Sequence, residues 1–392
     1  MIPEANEPGG GKTRAVLLVL GLLSLVLALF SHLLPPRAYA ASILLIDYEF
    51  GFVRRGLVGT MLNPFFGDSV TLAEAHRASF AITLVGALAL FATIYLRFRG
   101  SVAGLLLVIL FASSFAYRGF IGASGYLDGV LVVLALAALA VPGAGWAAVA
   151  ARCTLCAVGM LVHENMMPYF AVLLALDIWM ADARGPVLSR MLRASLPVVT
   201  AVAVFAVFLG YGELSGAKAE AFHAYLNQKH RFAGDMTDFA VFAQSLTQQN
   251  EAIAGFRGSA TYRYMLWFDG GPLGLMSLFL IWLNLRILPE GENGMTHIFL
   301  AGAILAPLSL NFVAYDVVRF GAMSVICGFL CLGLQVRYRA GTMDRLRAML
   351  PPVMLVLVIV INLNVTALQI NNASGHENQF PWVVLSHTQW SF

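Results

Sequence analysis

The segment with the most reactive side chains in this sequence runs from Asp47 to Arg55 and contains two carboxylates and two guanidinium groups. Asp47 and Glu49 are two positions apart, so they diverge on a helix but face the same way in an extended segment. Either carboxylate could act as a general base or as a ligand of a hard divalent cation such as Mg²⁺ or Mn²⁺. A structural ion pair with Arg54 is a third interpretation, and the sequence leaves all three open.

Arg54 and Arg55 in the same segment suit an anionic ligand. An arginine side chain is a planar group of donors that binds a phosphate through two parallel hydrogen bonds. Gly51 and Gly56 would let the backbone approach such a ligand closely. The alternative is that both arginines pair with the neighbouring acids or with lipid headgroups.

His163 and Glu164 form a second candidate, at the boundary between two apolar segments. A His beside a Glu at that place could transfer a proton or hydrogen-bond a sugar, or the two residues could cap helix ends. The zinc motif His-Glu-x-x-His is excluded, because Met167 stands where the second His would be.

Two further polar pairs lie beside apolar runs. Asp316 and Arg319 are three positions apart, which is close enough on one helical turn for the two side chains to pair with each other. The functional interpretation makes Arg319 a phosphate contact that Asp316 orients. Tyr126 and Asp128 could line the edge of a pocket, or they could serve helix packing beside the adjacent glycines.

The composition places these residues in a membrane protein. Of the 392 residues, 59% are hydrophobic and 11% are charged, whereas about 25% are charged in a typical soluble domain. The mean hydropathy is +0.79, and the apolar runs are long and recurrent. The net charge of +3 is spread over short clusters, which does not favour nucleic acid as a partner.

The lengths of the apolar runs predict an all-α bundle of transmembrane helices. A helix needs about 20 apolar residues to cross the bilayer core, which gives about eleven spans in one integral membrane domain over residues 1–392. The predicted spans are approximately 15–34, 79–96, 103–121, 127–141, 146–162, 166–181, 194–212, 265–286, 296–314, 320–336 and 351–370.

The basic residues predict the orientation of the bundle, because Lys and Arg in short loops mark the cytoplasmic side. If the spans alternate, one side receives Lys12, Arg14, Arg97, Arg99, Arg184, Arg190, Arg193, Arg286, Arg337, Arg339, Arg345 and Arg347. We therefore expect a cytoplasmic N-terminus and an extracytoplasmic C-terminal tail at 371–392. All the candidate residues then face the extracytoplasmic side.

The first outer loop covers 35–78. Thr71 and Glu74 form a capping box there that predicts the start of the helix of the second span. We expect interfacial helices in this loop.

The second outer loop covers 213–264 and contains hydrophobic residues near the helical period. These are Phe222, Tyr225, Leu226, Phe239, Phe242 and Leu246. The pattern predicts helices that lie on the outer membrane surface, and the alternative is a flexible linker.

Asp47, Tyr48 and Glu49 place an acidic-x-acidic motif in the first outer loop, and 213–264 places a second large outer loop after the seventh span. In this layout, over most of its length, the chain resembles the GT-C superfamily of membrane glycosyltransferases. Such enzymes transfer a sugar from a polyprenyl phosphate or diphosphate carrier to an acceptor at the extracytoplasmic face.

The resemblance implies that Asp47, with Glu49, is the catalytic base or a ligand of a divalent cation, Mg²⁺ or Mn²⁺. It implies a lipid-linked sugar as donor, a glycan or lipid as acceptor, and a place in polysaccharide biosynthesis at a bacterial inner (plasma) membrane. The residues expected to bind substrate are Arg54, Arg55, Tyr126, Asp128, His163, Glu164, Asp316 and Arg319.

Two other classes of function remain open. One is a polysaccharide polymerase or ligase acting on lipid-linked glycans, in which the arginines and His163 would lead. The other is a lipid or glycan transporter, which should show internal repeats and polar residues near the membrane centre. Only Arg152 is a clear charge in the middle of a predicted span.

Overall fold

The computed structural model describes residues 10–36, 38–66, 69–183, 185–211, 216–229, 251, 254–312, 314 and 316–373. Within these ranges the chain is all-helical and contains no strand. The helices of eight or more residues are α1 (Gly10–His32), α2 (Gly56–Phe66), α3 (Leu72–Phe98), α4 (Val102–Ser113), α5 (Phe115–Gly122), α6 (Asp128–Ala140), α7 (Trp146–Val162), α8 (Val172–Ala181), α9 (Val187–Tyr211), α10 (Ala217–Lys229), α11 (Gly271–Arg286), α12 (Gly294–Leu305), α13 (Val317–Tyr338), α14 (Thr342–Met349) and α15 (Pro352–Ala373). Shorter helical turns are Ala38–Ser42, Ile43–Leu45, Met167–Ala171, Ala260–Tyr264, Met265–Gly270 and Ala306–Phe312.

Among the residues that the structure describes, six helical segments are long and apolar enough to cross a membrane, or seven if the bent pair of α4 and α5 is one span. The other predicted spans fall on shorter apolar helices, which are α6, α7, the segment Met167–Ala181 and the first part of α15. The chain is therefore an integral membrane protein, and the count of about eleven spans stays a prediction. The predicted tail from residue 374 onward and the loop residues 230–250 lie outside the described ranges.

The predicted first outer loop, 35–78, contains α2 and, near its end, the predicted capping box. The Thr71 hydroxyl accepts a hydrogen bond from the Glu74 N–H at 3.3 Å, and the Glu74 carboxylate accepts one from the Thr71 N–H at 2.8 Å. These two bonds confirm the predicted start of α3. On α2, the side chains of Met61 and Phe65 are 63% and 81% exposed, as is typical of a helix that lies at a membrane surface.

The third predicted span is interrupted at Ser114, where α4 and α5 meet at an angle of 44°. The Ser114 hydroxyl donates a hydrogen bond to the Phe111 carbonyl oxygen at 2.7 Å and accepts one from the Tyr117 N–H at 3.1 Å. One serine thus ends α4 and caps α5. The apolar pattern of 103–121 gave no sign of this bend.

Helix α13 lies at the centre of the bundle. Of its most apolar 18-residue window 94% is buried, compared with 22% in both α1 and α9. Two glycines let α11 approach it closely, because a Cβ at Gly321 would lie 2.8 Å from Leu273 and a Cβ at Gly328 would lie 2.8 Å from Leu280. Small residues at such contacts are typical of helix packing in membranes.

Arg152 is completely buried against Asp177. Its Nε donates to Asp177 at 2.8 Å, and its Nη atoms donate to the carbonyl oxygens of Gly143 and Val141 at 2.9 and 2.8 Å. The Tyr338 hydroxyl donates to the other Asp177 oxygen at 2.9 Å. These bonds join α7, α8 and α13 with the turn after α6, so the mid-span charge has a structural explanation. The sequence analysis missed Asp177, although it also lies within a predicted span.

Helix α13 separates this cluster from the candidate residues. Arg319 lies in its first turn and Tyr338 is its last residue, a separation of about 28 Å along an α-helix. That distance is close to the roughly 30 Å thickness of the hydrocarbon core. We call the two ends of the bundle the Arg319 end and the Arg152 end.

Loss of the Asp177 charge should destabilise the fold. We expect Asp177→Asn to lower the free energy of unfolding by about 3–5 kcal/mol, because it leaves the Arg152 charge buried without its partner. Denaturant unfolding in detergent micelles measures the loss. Asp344→Asn is the matched control, because the Asp344 side chain is 82% exposed beside Arg347 and exposed pairs contribute about 0–1 kcal/mol. Equal stability of the two variants would contradict a structural role for Arg152.

Candidate functional site

The segment that begins at Asp47 is not helical and folds back onto the first turn of α2. The Tyr48 N–H donates to the Thr60 hydroxyl at 2.9 Å, and that hydroxyl donates to the Gly56 carbonyl oxygen at 2.7 Å. A Cβ at Gly56 would lie 2.5 Å from the Tyr48 ring and 3.3 Å from the carbonyl carbon of Asp47. The close approach that Gly56 permits is therefore that of the chain at Asp47 and Tyr48, which packs against the start of α2.

Asp47 and Glu49 face the same way and share two donors. The Tyr225 hydroxyl lies 2.9 and 3.0 Å from the two Asp47 oxygens and 3.0 Å from a Glu49 oxygen. The Asn63 side-chain nitrogen donates to Asp47 at 2.9 Å and to Glu49 at 3.2 Å. The Glu49 N–H also donates to Asp47 at 3.0 Å. The carboxylates face alike and form a pair, although the backbone here is a turn and not an extended segment, because the Gly51 N–H donates to the Tyr48 carbonyl oxygen at 3.0 Å.

Helix α10 of the second outer loop brings Tyr225 to the acids. Phe222 and Leu226 on this helix are 2% and 0% exposed. The ring centroids of Phe222 and Tyr225 lie 5.1 and 5.7 Å from that of Phe50. The predicted helix is confirmed, and its aromatic face packs on Phe50 of the predicted first outer loop, while its place on the membrane surface stays a prediction. The residues predicted to form a second helix, Phe239, Phe242 and Leu246, lie outside the described ranges.

Arg55 and Glu164 form a two-pronged ion pair that ties the first outer loop to the turn between α7 and α8. The Arg55 Nε donates to one Glu164 oxygen at 3.0 Å, and an Nη atom donates to the other oxygen. The side chains are 16% and 17% exposed. Two parallel charge-assisted bonds make this a strong contact, so Arg55 acts mainly within the protein.

Backbone strain marks the same region. Among the residues that the structure describes, Arg55 and Leu127 are the non-glycine residues with a positive φ, and both have a φ of 65°. This left-handed conformation costs a side-chain-bearing residue about 1–2 kcal/mol. Arg55 is itself a candidate residue, and Leu127 directly precedes the candidate residue Asp128. Both strained positions therefore help to orient a candidate side chain. Strain of this kind is concentrated at functional sites.

His163 is a buried, neutral side chain. Its Nδ1 accepts a hydrogen bond from the Asn165 N–H at 3.1 Å, which leaves the ring proton on Nε2. Nε2 is buried and makes no hydrogen bond with the described residues. Burial and the charge of Arg55 lower the pKa of His163 well below its usual range. A neutral ring with an available N–H favours hydrogen bonding to a sugar over proton transfer.

Glu164 is ionised beside this histidine. Burial by itself would raise the pKa of the Glu164 carboxyl, but the charge of Arg55, assisted by that of Arg54, outweighs burial and holds that pKa well below its usual range. The Arg55 pair therefore persists throughout the neutral pH range.

Arg319 is the centre of a buried cluster in which two of the predicted segments meet. Its Nε lies 3.5 Å from an Asp128 oxygen and 3.4 Å from an Asp316 oxygen. The guanidinium carbon lies 4.3 Å from the centroid of the Tyr126 ring. Asp316 also caps α13 by accepting a hydrogen bond from the Arg319 N–H at 3.4 Å. The expected pairing of Asp316 with Arg319 is present, and Asp128 is a second acid at the same arginine.

The electrostatic influences connect the two clusters. The charge of Arg55 acts on Asp128, and the charge of Arg319 acts on His163. Arg54 acts on His163 and Glu164 as well, yet no hydrogen bond or ion pair joins it to any residue in the described part of the chain. Within the described residues, Arg54 is therefore the one of the three arginines proposed as phosphate contacts that has no ion pair.

Sequence reasoning missed Asn63, and it assigned Tyr225 only to a hydrophobic face. Both complete the acidic pair from elements outside the Asp47 segment. The available signal for Asn63 was a polar side chain between Met61 and Phe65 on an otherwise apolar helix. Nothing local indicated that Tyr225 would contact residues 178 and 176 positions away.

The acidic pair suits a divalent cation that a ligand helps to bind. Mg²⁺ is usually held by one or two carboxylates together with substrate phosphates, and Mn²⁺ has similar preferences. Within the described residues, no group of three His, Cys, Asp or Glu side chains is placed to hold a metal ion. Asp47 and Glu49 alone would thus hold such an ion through two carboxylates.

Comparison of the chain with protein-family models, with curated proteins and with solved structures finds no match in any of the three. The interpretation of the site therefore depends on its own geometry and on the layout of the chain.

The Arg55 ion pair should contribute to stability as a unit. We expect Glu164→Gln to lower the free energy of unfolding by about 3 kcal/mol, because the partly buried Arg55 charge loses its partner. Arg55→Gln should destabilise less than Glu164→Gln does, since Glu164 can then be protonated. A double-mutant cycle with both substitutions, measured by denaturant unfolding in micelles, gives the coupling energy. Strictly additive effects of the two substitutions would contradict the pairing.

Proposed function

We propose that this chain is a membrane glycosyltransferase that transfers a sugar from a polyprenyl phosphate or diphosphate carrier to an acceptor hydroxyl at the extracytoplasmic face. The observation that carries the proposal is that one loop holds a carboxylate pair, Asp47 and Glu49, together with Arg54, which makes no ion pair or hydrogen bond within the described part of the chain. A base for a hydroxyl and a cation for a phosphate are the two groups that this reaction requires. The resemblance of the layout to the GT-C superfamily supports the same reaction.

In the proposed reaction, Asp47 accepts the proton of the acceptor hydroxyl while the acceptor oxygen bonds to the anomeric carbon of the donor sugar. The bond from that carbon to the phosphate oxygen breaks, and its electron pair leaves with the carrier phosphate. Arg54 stabilises the charge that develops on the phosphate. The proton on Asp47 then passes to water or to the released phosphate, so that atoms and charges balance.

The other residues of the Arg319 end have supporting roles. Arg55 and Glu164 fix the position of the loop that carries Arg54, and the His163 Nε2–H is a donor available to a sugar oxygen. Two acids already surround Arg319, which favours a positioning role for it over direct phosphate binding. A divalent cation at Asp47 and Glu49 would supply further positive charge to the phosphate.

We propose that the Arg319 end faces the extracytoplasmic side of a bacterial plasma membrane. The Arg152 end carries several of the basic residues that mark the cytoplasmic side, including Arg193, Arg337 and Arg339. The N-terminus then lies in the cytoplasm and the C-terminus outside.

Asp47 is the first residue to test. We expect Asp47→Asn to reduce sugar transfer at least about 10²-fold, because general-base catalysis contributes about 10²–10⁴-fold, while insertion and folding are retained. A panel of polyprenyl-phosphate sugars presented to proteoliposomes gives the transfer rate. Glu220→Gln, an exposed acid on α10, is the control and should transfer normally. Wild-type transfer by Asp47→Asn would remove Asp47 as the base.

Arg54 and Arg55 should differ although they are adjacent. We expect Arg54→Gln to raise KM for the lipid-linked donor about tenfold, the effect of losing one charge-assisted contact, with unchanged thermal stability. Arg55→Gln should lower stability, because it breaks the pair with Glu164. Steady-state kinetics and thermal unfolding of the two variants check the assignment. Indistinguishable kinetics and stability of the two variants would contradict it.

A further inference from the structure

Asp47 is inaccessible in this structure. The residue is 0% exposed, and both carboxylate oxygens lie within hydrogen-bond distance of protein donors. A general base must come within about 2.6–3.2 Å of the oxygen whose proton it removes. An acceptor can reach Asp47 only if one of these donors leaves.

Tyr225 is the hydrogen-bond donor that resembles the hydroxyl group of an acceptor substrate. Its hydroxyl oxygen lies 2.9 and 3.0 Å from the Asp47 oxygens, which is the distance that a reacting alcohol needs. A phenol has one proton, so Tyr225 can satisfy only one of its three carboxylate contacts at a time. Asn63 and the Glu49 backbone also donate to Asp47, but they differ from an alcohol, because they offer an amide and a backbone N–H.

We propose that the Tyr225 hydroxyl occupies the place of the acceptor hydroxyl, so that α10 covers the acceptor site and must withdraw Tyr225 before transfer. This inference rests on the proposed function, because it takes Asp47 as the base. Tyr225 is then a surrogate for the substrate within the chain, and the structure represents the closed state of the enzyme.

The surroundings of the Tyr225 ring indicate which acceptor would replace it. The ring lies against Phe50 at 5.7 Å between centroids, with the two carboxylates at its hydroxyl end. Withdrawal of the Tyr225 ring leaves a slot with the Phe50 ring as one wall and, at its end, two carboxylates that can accept hydrogen bonds. Such a slot fits a hydroxyl on a six-membered ring, as in a sugar, better than a hydroxyl on an alkyl chain. The acceptor class is therefore a glycan.

The attachment of α10 is compatible with withdrawal. The buried side chains of its described part are Ala219, Phe222 and Leu226, and most of its other positions are exposed. Phe222 stacks with Tyr225 on the same helix at 6.4 Å and would move with it. Phe50 and the acids belong to the first outer loop, which the Arg55 pair with Glu164 holds in place.

Chemical labelling tests the cover independently of sugar transfer. A hydrophobic carbodiimide modifies accessible carboxyls, and mass spectrometry of the peptide reports the labelling of Asp47. We expect Tyr225→Ala to be labelled at Asp47 about tenfold faster than the wild type. The control Asn227→Ala, an exposed position on the same helix, should be labelled at the wild-type rate. Equal labelling of Tyr225→Ala and the wild type would overturn the proposal.

Added ring alcohols should refill the slot. In Tyr225→Ala, phenol and methyl glucoside should each restore protection of Asp47 against the carbodiimide, whereas hexanol at the same concentration should not. Protection by hexanol alone would overturn the assignment of a sugar acceptor. This assay needs no donor, so it stays informative even if Asp47→Asn shows that the chain is not a glycosyltransferase.

Kinetics separate a surrogate from a catalytic tyrosine. Tyr225→Phe keeps the ring but removes the competing hydroxyl, so we expect kcat/KM for the acceptor to rise about tenfold, the effect of one lost hydrogen bond to a charged group. A loss of transfer as large as that of Asp47→Asn would instead make Tyr225 a catalytic residue and overturn the proposal. An unchanged kcat/KM would overturn it as well, because a surrogate must compete.

Discussion

The fold depends on one constraint, which is that a charge in an apolar surrounding must be paired with an opposite charge or with strong hydrogen-bond donors and acceptors. The chain satisfies it at two levels. At one end of α13, Arg152 and Asp177 are fully buried against each other. At the other end, Arg319 lies between Asp128 and Asp316. The apolar middle of α13 separates these two polar levels by about one hydrocarbon thickness, so the central helix fixes the depth of both.

The two levels differ in what their charges can do. At the Arg152 end, the guanidinium is bound by a carboxylate and by backbone carbonyl oxygens, and the carboxylate also receives the Tyr338 hydroxyl. The charges of Arg152 and Asp177 are thus fully paired, and these contacts stabilise the fold. At the Arg319 end, the His163 Nε2–H is buried without a hydrogen bond among the described residues, and within the same residues Arg54 makes no ion pair. A ligand could supply the missing hydrogen-bond partners of these groups. Because both groups are donors, a ligand rich in oxygen atoms would suit them.

The hydrogen-bond donors around the acidic pair stabilise the two carboxylates and also cover them. Asp47 and Glu49 would repel each other if they stood alone, and the donors from Asn63 and Tyr225 reduce that repulsion. Because Tyr225 belongs to a helix that packs on the loop mainly through aromatic rings, the same contact that stabilises the carboxylates can be released. In the proposed enzyme, such a cover would exclude water until the acceptor arrives and so protect the sugar donor from hydrolysis.

The sequence by itself determined the membrane class, the helical segments and the capping box at Thr71, because these follow from apolar run lengths and local hydrogen bonding. It also placed the polar residues on one side, since alternation of spans carries that information. It could not separate Arg54 from Arg55, because the difference lies in Glu164, which is 109 positions away from Arg55. Nor could it show that Tyr225 lies on Asp47. Pairing across such distances depends on how helices pack in three dimensions, and only the tertiary structure decided which charges were neutralised and which remained available.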